Sequence, residues 1–128
     1  MSGKGEKYVR GLSVGRLATV DAAGMPHCVP VCYAYDPAGR VLVMTAPAAR
    51  KARNIVATGK AALVMDDGQA VRGVLARGPA RIIDDQAGFA AAQQLMLDAG
   101  ALARPRAYGE QVIIEVTVQE WVEWGLDS

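Results

Sequence analysis

Apolar residues occur in short runs broken by turn residues, which is the pattern of strands. Arg16-Leu17-Ala18-Thr19-Val20 is apolar and partly β-branched, and Asp21-Ala22-Ala23-Gly24 follows as a turn. Pro26 to Tyr35 predicts a long second strand, Asp36-Pro37-Ala38-Gly39 another turn, and Val41 to Thr45 a third strand. Two turns between three apolar runs make an antiparallel meander. The texture then changes. Ala46 to Ala57 predicts a short helix with Pro47 in its first turn and Gly59 past its end. Ala61 to Met65 predicts a fourth strand and Val71 to Ile83 a fifth, interrupted by Gly73, Gly78 and Pro79 as at a bulge or barrel corner. Gln86 to Ala99 is Ala-rich, with Phe89, Ala92, Leu95 and Met96 spaced for one helix face and Gly100 as its stop. Val112 to Val122 predicts the last strand. The expected fold is mainly β: a six-stranded antiparallel barrel with two helices, because closure removes exposed sheet edges.

Composition narrows the classes. A chain of 128 residues suits one domain spanning 1–128. Its 14 basic and 13 acidic residues leave a net charge of +1, which argues against a general nucleic-acid binder. No apolar run reaches the roughly 20 residues of a membrane span, and no signal-peptide pattern opens the chain. The expectation is a soluble cytoplasmic protein. On one strand, Cys28 and Cys32 would share a face about 13 Å apart. A disulfide needs Cα atoms within about 7 Å, so the two read as small core or interface hydrophobes. The single histidine, His27, would point the other way, and no histidine-based metal cluster is expected.

The usual catalytic signatures are absent. None of the three serines lies in a Gly-x-Ser-x-Gly elbow, and neither GxGxxG nor GxxxxGK[ST] occurs. Asp66-Asp67 and Asp84-Asp85 read as solvated turn residues. Chemistry concentrates between Thr45 and Asn54. Thr45 ends a strand; Arg50 and Lys51 fall in the first turns of the next helix, with Arg53 and Asn54 close behind. Free N–H groups and the dipole at a helix start favour anions, and Arg and Lys add a fork and a point charge for phosphate. The alternative is a solvated basic helix face. His27 reads as a surface or structural residue or a proton donor. Tyr33 and Tyr35 read as packing residues or pocket lining, and Trp121 and Trp124 as a cover over a bound group or a seal between subunits.

Three features taken together resemble the pyridoxamine 5′-phosphate oxidase-like FMN-binding split barrels. The opening is Gly15-Arg16-Leu17-Ala18-Thr19-Val20 with Asp-x-x-Gly-x-Pro after it. The centre is Thr45 followed, after a four-residue gap, by Arg50-Lys51. The close is Val112 to Trp124-Gly125. The resemblance implies a split β-barrel homodimer with its cofactor at the subunit interface. Thr45, Arg50 and Lys51, with Asn54 beside them, would hold the cofactor phosphate. Val29, Pro30 and Val31 would lie along the flat ring, and Met44 would border the ring or ribityl chain. Two departures stand out. The chain carries no C-terminal Arg- and His-containing segment for a pyridoxal substrate. Gly73 stands where the oxidases place a glutamine that reaches the flavin. The first sets the expectation against vitamin B6 oxidation; the short members without that glutamine include those that use the deazaflavin coenzyme F-420, and this chain resembles them more. The implied function is hydride transfer between FMN or coenzyme F-420 and a small organic substrate, with no catalytic residue identified. The alternative is a non-catalytic flavin or haem carrier.

Overall fold

The computed structural model describes residues 1–126. Helix α1 (Gly3–Arg10) leads into strands β1 (Val14–Val20), β2 (Pro26–Cys32), β3 (Ala34–Asp36) and β4 (Arg40–Thr45). Then come helix α2 (Arg50–Thr58), strands β5 (Lys60–Met65) and β6 (Gly73–Ile82), helix α3 (Gln86–Asp98), and strands β7 (Val112–Thr117) and β8 (Glu120–Trp124). The ladders are antiparallel and run β2-β1-β5-β6-β7-β4-β3, with β8 added against β6.

The sheet wraps around one core. Leu17, Val31, Val43, Leu63, Val74, Ala76, Ile114 and Val116, from six different strands, pack into a single buried cluster with Ile55 of α2. Strands β4 and β7 are buried on both faces, so they read as unbroken apolar runs. Their opposite face, Leu42 and Ile113, meets Phe89, Ala92 and Met96 of α3 in a second cluster. Asp85 caps α3, its carboxylate accepting from the Gly88 N–H at 2.7 Å.

The architecture is the expected mainly β split barrel, with eight strands and three helices among the described residues in place of six and two. The stretch Pro26–Tyr35 divides at Tyr33 into β2 and β3, which stand at opposite ends of the strand order and do not pair. The barrel is therefore open along that seam rather than closed. The last predicted strand divides into β7 and β8. The first half of β6 pairs with β8 and its end with β7. At the hand-over sits Gly78, where a Cβ would come 2.1 Å from the Thr117 carbonyl oxygen. This is the corner that the glycine signalled. Helix α1 falls in a stretch that reads as polar. Ser2 Oγ accepts from the Gly5 N–H at 3.0 Å and donates to Glu123 at 2.7 Å. A Cβ on Gly5 would overlap the Glu123 carboxylate. The helix is thus docked by a contact from the far end of the chain. Among the described residues, no helix is long and apolar enough to cross a membrane.

An ion network laces the seam side. Arg40 donates to Asp36 at 2.6 Å and to Glu115 at 2.8 Å, and Arg81 donates to Glu115 at 2.8 Å. Burial alone would raise the Asp36 carboxyl, but the Arg40 hydrogen bond, the Ala38 N–H and the Arg40 charge together hold it below its ordinary value. For Glu115, burial is likewise outweighed by Arg40 and Arg81. Carboxylates depressed in the folded state stabilise it above their unfolded pKa of about 4, and that stability is lost as pH falls through the folded values. Urea denaturation of the protein should therefore show stability falling steeply below about pH 4. Arg40→Met should flatten this slope; an unchanged slope would show that the network carries no pH dependence.

Candidate functional site

The end of β4 and the start of α2 form one corner. Thr45 closes β4 opposite Val112 and is 7% exposed. The expected helix start at Ala46 is displaced. Pro47 and Ala48 instead occupy the middle of a turn in which the Ala49 N–H donates to the Ala46 carbonyl at 3.1 Å, a position that suits proline's fixed φ. Helix α2 then begins at Arg50. Ala49 caps it without a side-chain acceptor, so its first N–H groups have no side-chain partner. Arg50, Lys51 and Arg53 fall in this region with no acid in the first turn. Among the described residues, none of the three forms a salt bridge. Three cations at the positive end of a helix oppose its dipole.

Helix α2 is held there by contacts further along its length. Asn54 Nδ2 donates to Thr19 Oγ1 at 3.0 Å, and Thr58 Oγ1 lies 3.0 Å from the Val20 carbonyl. Both Asn54 and Thr19 are buried. Ala52 and Ile55 are each 2% exposed.

The seam runs past this corner. Residue 34 pairs with 42 in the β3–β4 ladder. β2 does not pair with β4, which leaves a seam between them. His27, Val29 and Val31 lie opposite Thr19, Leu17 and Gly15, all buried, so they form the inner row of β2. As the terminal strand of the sheet, β2 has one edge outside the ladder. Its free backbone groups include the carbonyl of Pro30, whose nitrogen has no hydrogen to donate.

Val29 and Val31 lie on the inner row of β2, Val31 within the barrel core, while Thr45, Arg50 and Lys51 lie at the β4–α2 corner. Three other predicted residues are placed differently. Met44 lies on the opposite face of β4, against the α3 cluster. The Pro30 side chain is on the outer row, and the Asn54 amide is engaged by Thr19. Cys28 and Cys32 are exposed, so the core reading of these cysteines is corrected: they share the outer row of β2 with Pro26 and Pro30. Tyr33 is buried and its hydroxyl donates to the Val9 carbonyl; Tyr35 meets Trp121 edge-on at 5.8 Å. A Cβ on Gly73 would come 2.3 Å from the Trp124 indole, so that ring occupies the space a side chain would need. Sequence reasoning missed Thr19 as a partner of the α2 region. The odd-numbered spacing of His27, Val29 and Val31 was the available signal that His27 belongs to the inner row.

A profile of the pyridoxamine 5′-phosphate oxidase family matches residues 2–125. The chain belongs to this family. It is 30% identical to a 5a,11a-dehydrotetracycline/5a,11a-dehydrooxytetracycline reductase of Streptomyces rimosus, over 94% of this chain and 80% of that protein. An F420 reductase of known structure shares the fold with a TM-score of 0.73 at 24% identity, covering 95% of this chain and 98% of that one. A heme binding protein from Mycobacterium smegmatis does so with a TM-score of 0.78 at 22% identity, covering 98% of this chain and 55% of the other. Reductases and a haem binder therefore share this family's barrel.

The Asn54–Thr19 hydrogen bond is buried at both ends, so Asn54→Ala leaves a hydroxyl unpaired. The expected loss is about 1–3 kcal/mol of folding stability in urea melts. A loss below about 0.5 kcal/mol would show that α2 is held by its apolar face alone.

Proposed function

We propose that the slot between β2 and the start of α2 binds a phosphorylated flavin-type cofactor, FMN or coenzyme F-420, for hydride transfer to a small organic substrate. The observation that carries this reading is the set of unneutralised cations on an uncapped helix start, beside an apolar strand with a free edge. A phosphate supplies the missing charge. Arg50 offers two parallel N–H donors, Lys51 a point charge, and Thr45 a hydroxyl. Val29 and Val31 exclude water from one side of a flat ring, while the free edge of β2 offers backbone donors and acceptors to its rim. Bound there, the cofactor supplies the hydride chemistry; the chain supplies position and charge. The relative that acts as a reductase supports the oxidoreductase class. The Trp124 ring packed on Gly73 supports coenzyme F-420 over FMN, because no side chain extends from the position where the oxidases carry glutamine. Binding of flavin or haem without turnover is the second reading, supported by the haem-binding neighbour of the same fold.

The site has one open side, and a second copy of the chain would cover it. The outer face of the barrel carries an apolar row across β8, β6 and β5, in which Val122 pairs with Leu75 and Leu75 with Val64. On β1, Arg16 interrupts it opposite Val64; on either side of Arg16, Ala18 and Val14 lie opposite Cys28 and Cys32. Val14 is 49% and Val122 40% exposed. A face of this kind favours association, with the cysteines as interface hydrophobes.

Titrating the apo-protein with FMN and with coenzyme F-420, following cofactor fluorescence, tests the reading. Binding without turnover by any reductant and acceptor would favour the carrier. Removing Arg50 and Lys51 together should weaken FMN binding by about 100-fold or more and riboflavin binding by less than about threefold. Equal losses for both would remove the phosphate assignment. Sedimentation should give the mass of two chains, and Val122→Glu should give one; a wild-type monomer would remove the homodimer.

A further inference from the structure

One polar side-chain atom remains without a role. Among the described residues, Nδ1 of His27 is the buried side-chain nitrogen or oxygen that has no hydrogen-bond partner. Nothing on the outer face accounts for it, because His27 belongs to the inner row of β2. Directly across the ladder is Thr19. The Thr19 hydroxyl oxygen accepts from Asn54, and among the described residues its own hydrogen has no acceptor. A donor without an acceptor thus faces an acceptor without a donor. Joined, they would make the chain Asn54 N–H to Thr19 O–H to His27 Nδ1. That arrangement leaves the ring proton on Nε2. Nε2 has no partner among the described residues and is not sealed from solvent, so its direction is open.

One chain of contacts relates that open nitrogen to the cations. Asn54, which bonds the residue across from His27, lies four positions after Arg50 and three after Lys51, on the same helix face. We infer that His27 is a third donor to the anion at the start of α2, giving its Nε2–H to a phosphate oxygen. Thr19 and Asn54 act as positioning residues that orient the ring. This inference rests on the phosphate reading of the slot and adds to it a residue on the opposite strand. Binding then ties β2 to α2 across the seam.

The chain has one histidine, so its imidazole signals need no assignment. In long-range nitrogen–proton NMR spectra of the labelled full-length protein, inorganic phosphate and then FMN should each shift Nε2. FMN should also move Nδ1 to the position of a hydrogen-bonded acceptor. Substitution separates the two nitrogens. His27→Gln keeps a donor near Nε2, and His27→Asn keeps one only near Nδ1. The Gln variant should bind FMN within about threefold of the parent, while Asn and Ala variants should bind about tenfold more weakly, with riboflavin unaffected by all three. Retention by Asn with loss by Gln, or equal losses for riboflavin, would make His27 a strut of β2 and overturn the inference. FMN binding with an unmoved Nε2 would overturn it while leaving the cofactor reading intact. Failure of the wild-type protein to bind FMN and coenzyme F-420 would remove both. The wild-type spectra decide the matter even if the Ala variant does not fold.

Discussion

The open seam depends on Tyr33. One largely apolar stretch runs from Pro26 to Tyr35, and an uninterrupted strand there would pair with β4 along its whole length and close the barrel. Tyr33 stops this. Its hydroxyl donates to the Val9 carbonyl and its N–H to the Ser13 carbonyl. Both bonds reach the segment before β1, so the chain is pulled toward α1 at the point where β2 gives way to β3. Burial, reinforced by Tyr8, pushes the Tyr33 phenol above its ordinary pKa, so it stays a donor. β2 then pairs only with β1, and a gap in the ladder separates it from β4.

The other side of that gap is built against local electrostatics. Each cation near a helix start costs about 0.3–1 kcal/mol. Burying Ile55 contributes about 1.5–3 kcal/mol, and each hydrogen bond to β1 contributes about 0.5–1.5 kcal/mol. The anchored face of α2 therefore outweighs the repulsion at its tip, and the helix persists with its charge unneutralised. An anion bound there relieves a penalty already present in the free protein. That is the physical basis for reading the corner as a phosphate site rather than a solvated face.

Much of this was legible in the chain. The turns at Asp21–Gly24 and Asp36–Gly39, the stop at Gly59, the apolar face of α3 and the corner at Gly78 follow from turn chemistry and periodicity. So does the clustering of Arg50 and Lys51 after Thr45. Each is a local property, decided within a few residues by steric freedom, hydrogen-bonding capacity or spacing. Helix α1 and the break at Tyr33 were not legible, because Glu123 docks one and the Val9 carbonyl creates the other. Local pattern thus determined which segments are strands or helices and where positive charge gathers. Tertiary structure decided that β2 leaves β4 and that Met44 faces α3 while Thr45 is buried at the end of β4. It also turned Asn54 inward and set His27 beside Thr19. These outcomes depend on contacts between residues far apart in the chain, and no local spacing encodes which strand a free edge will face.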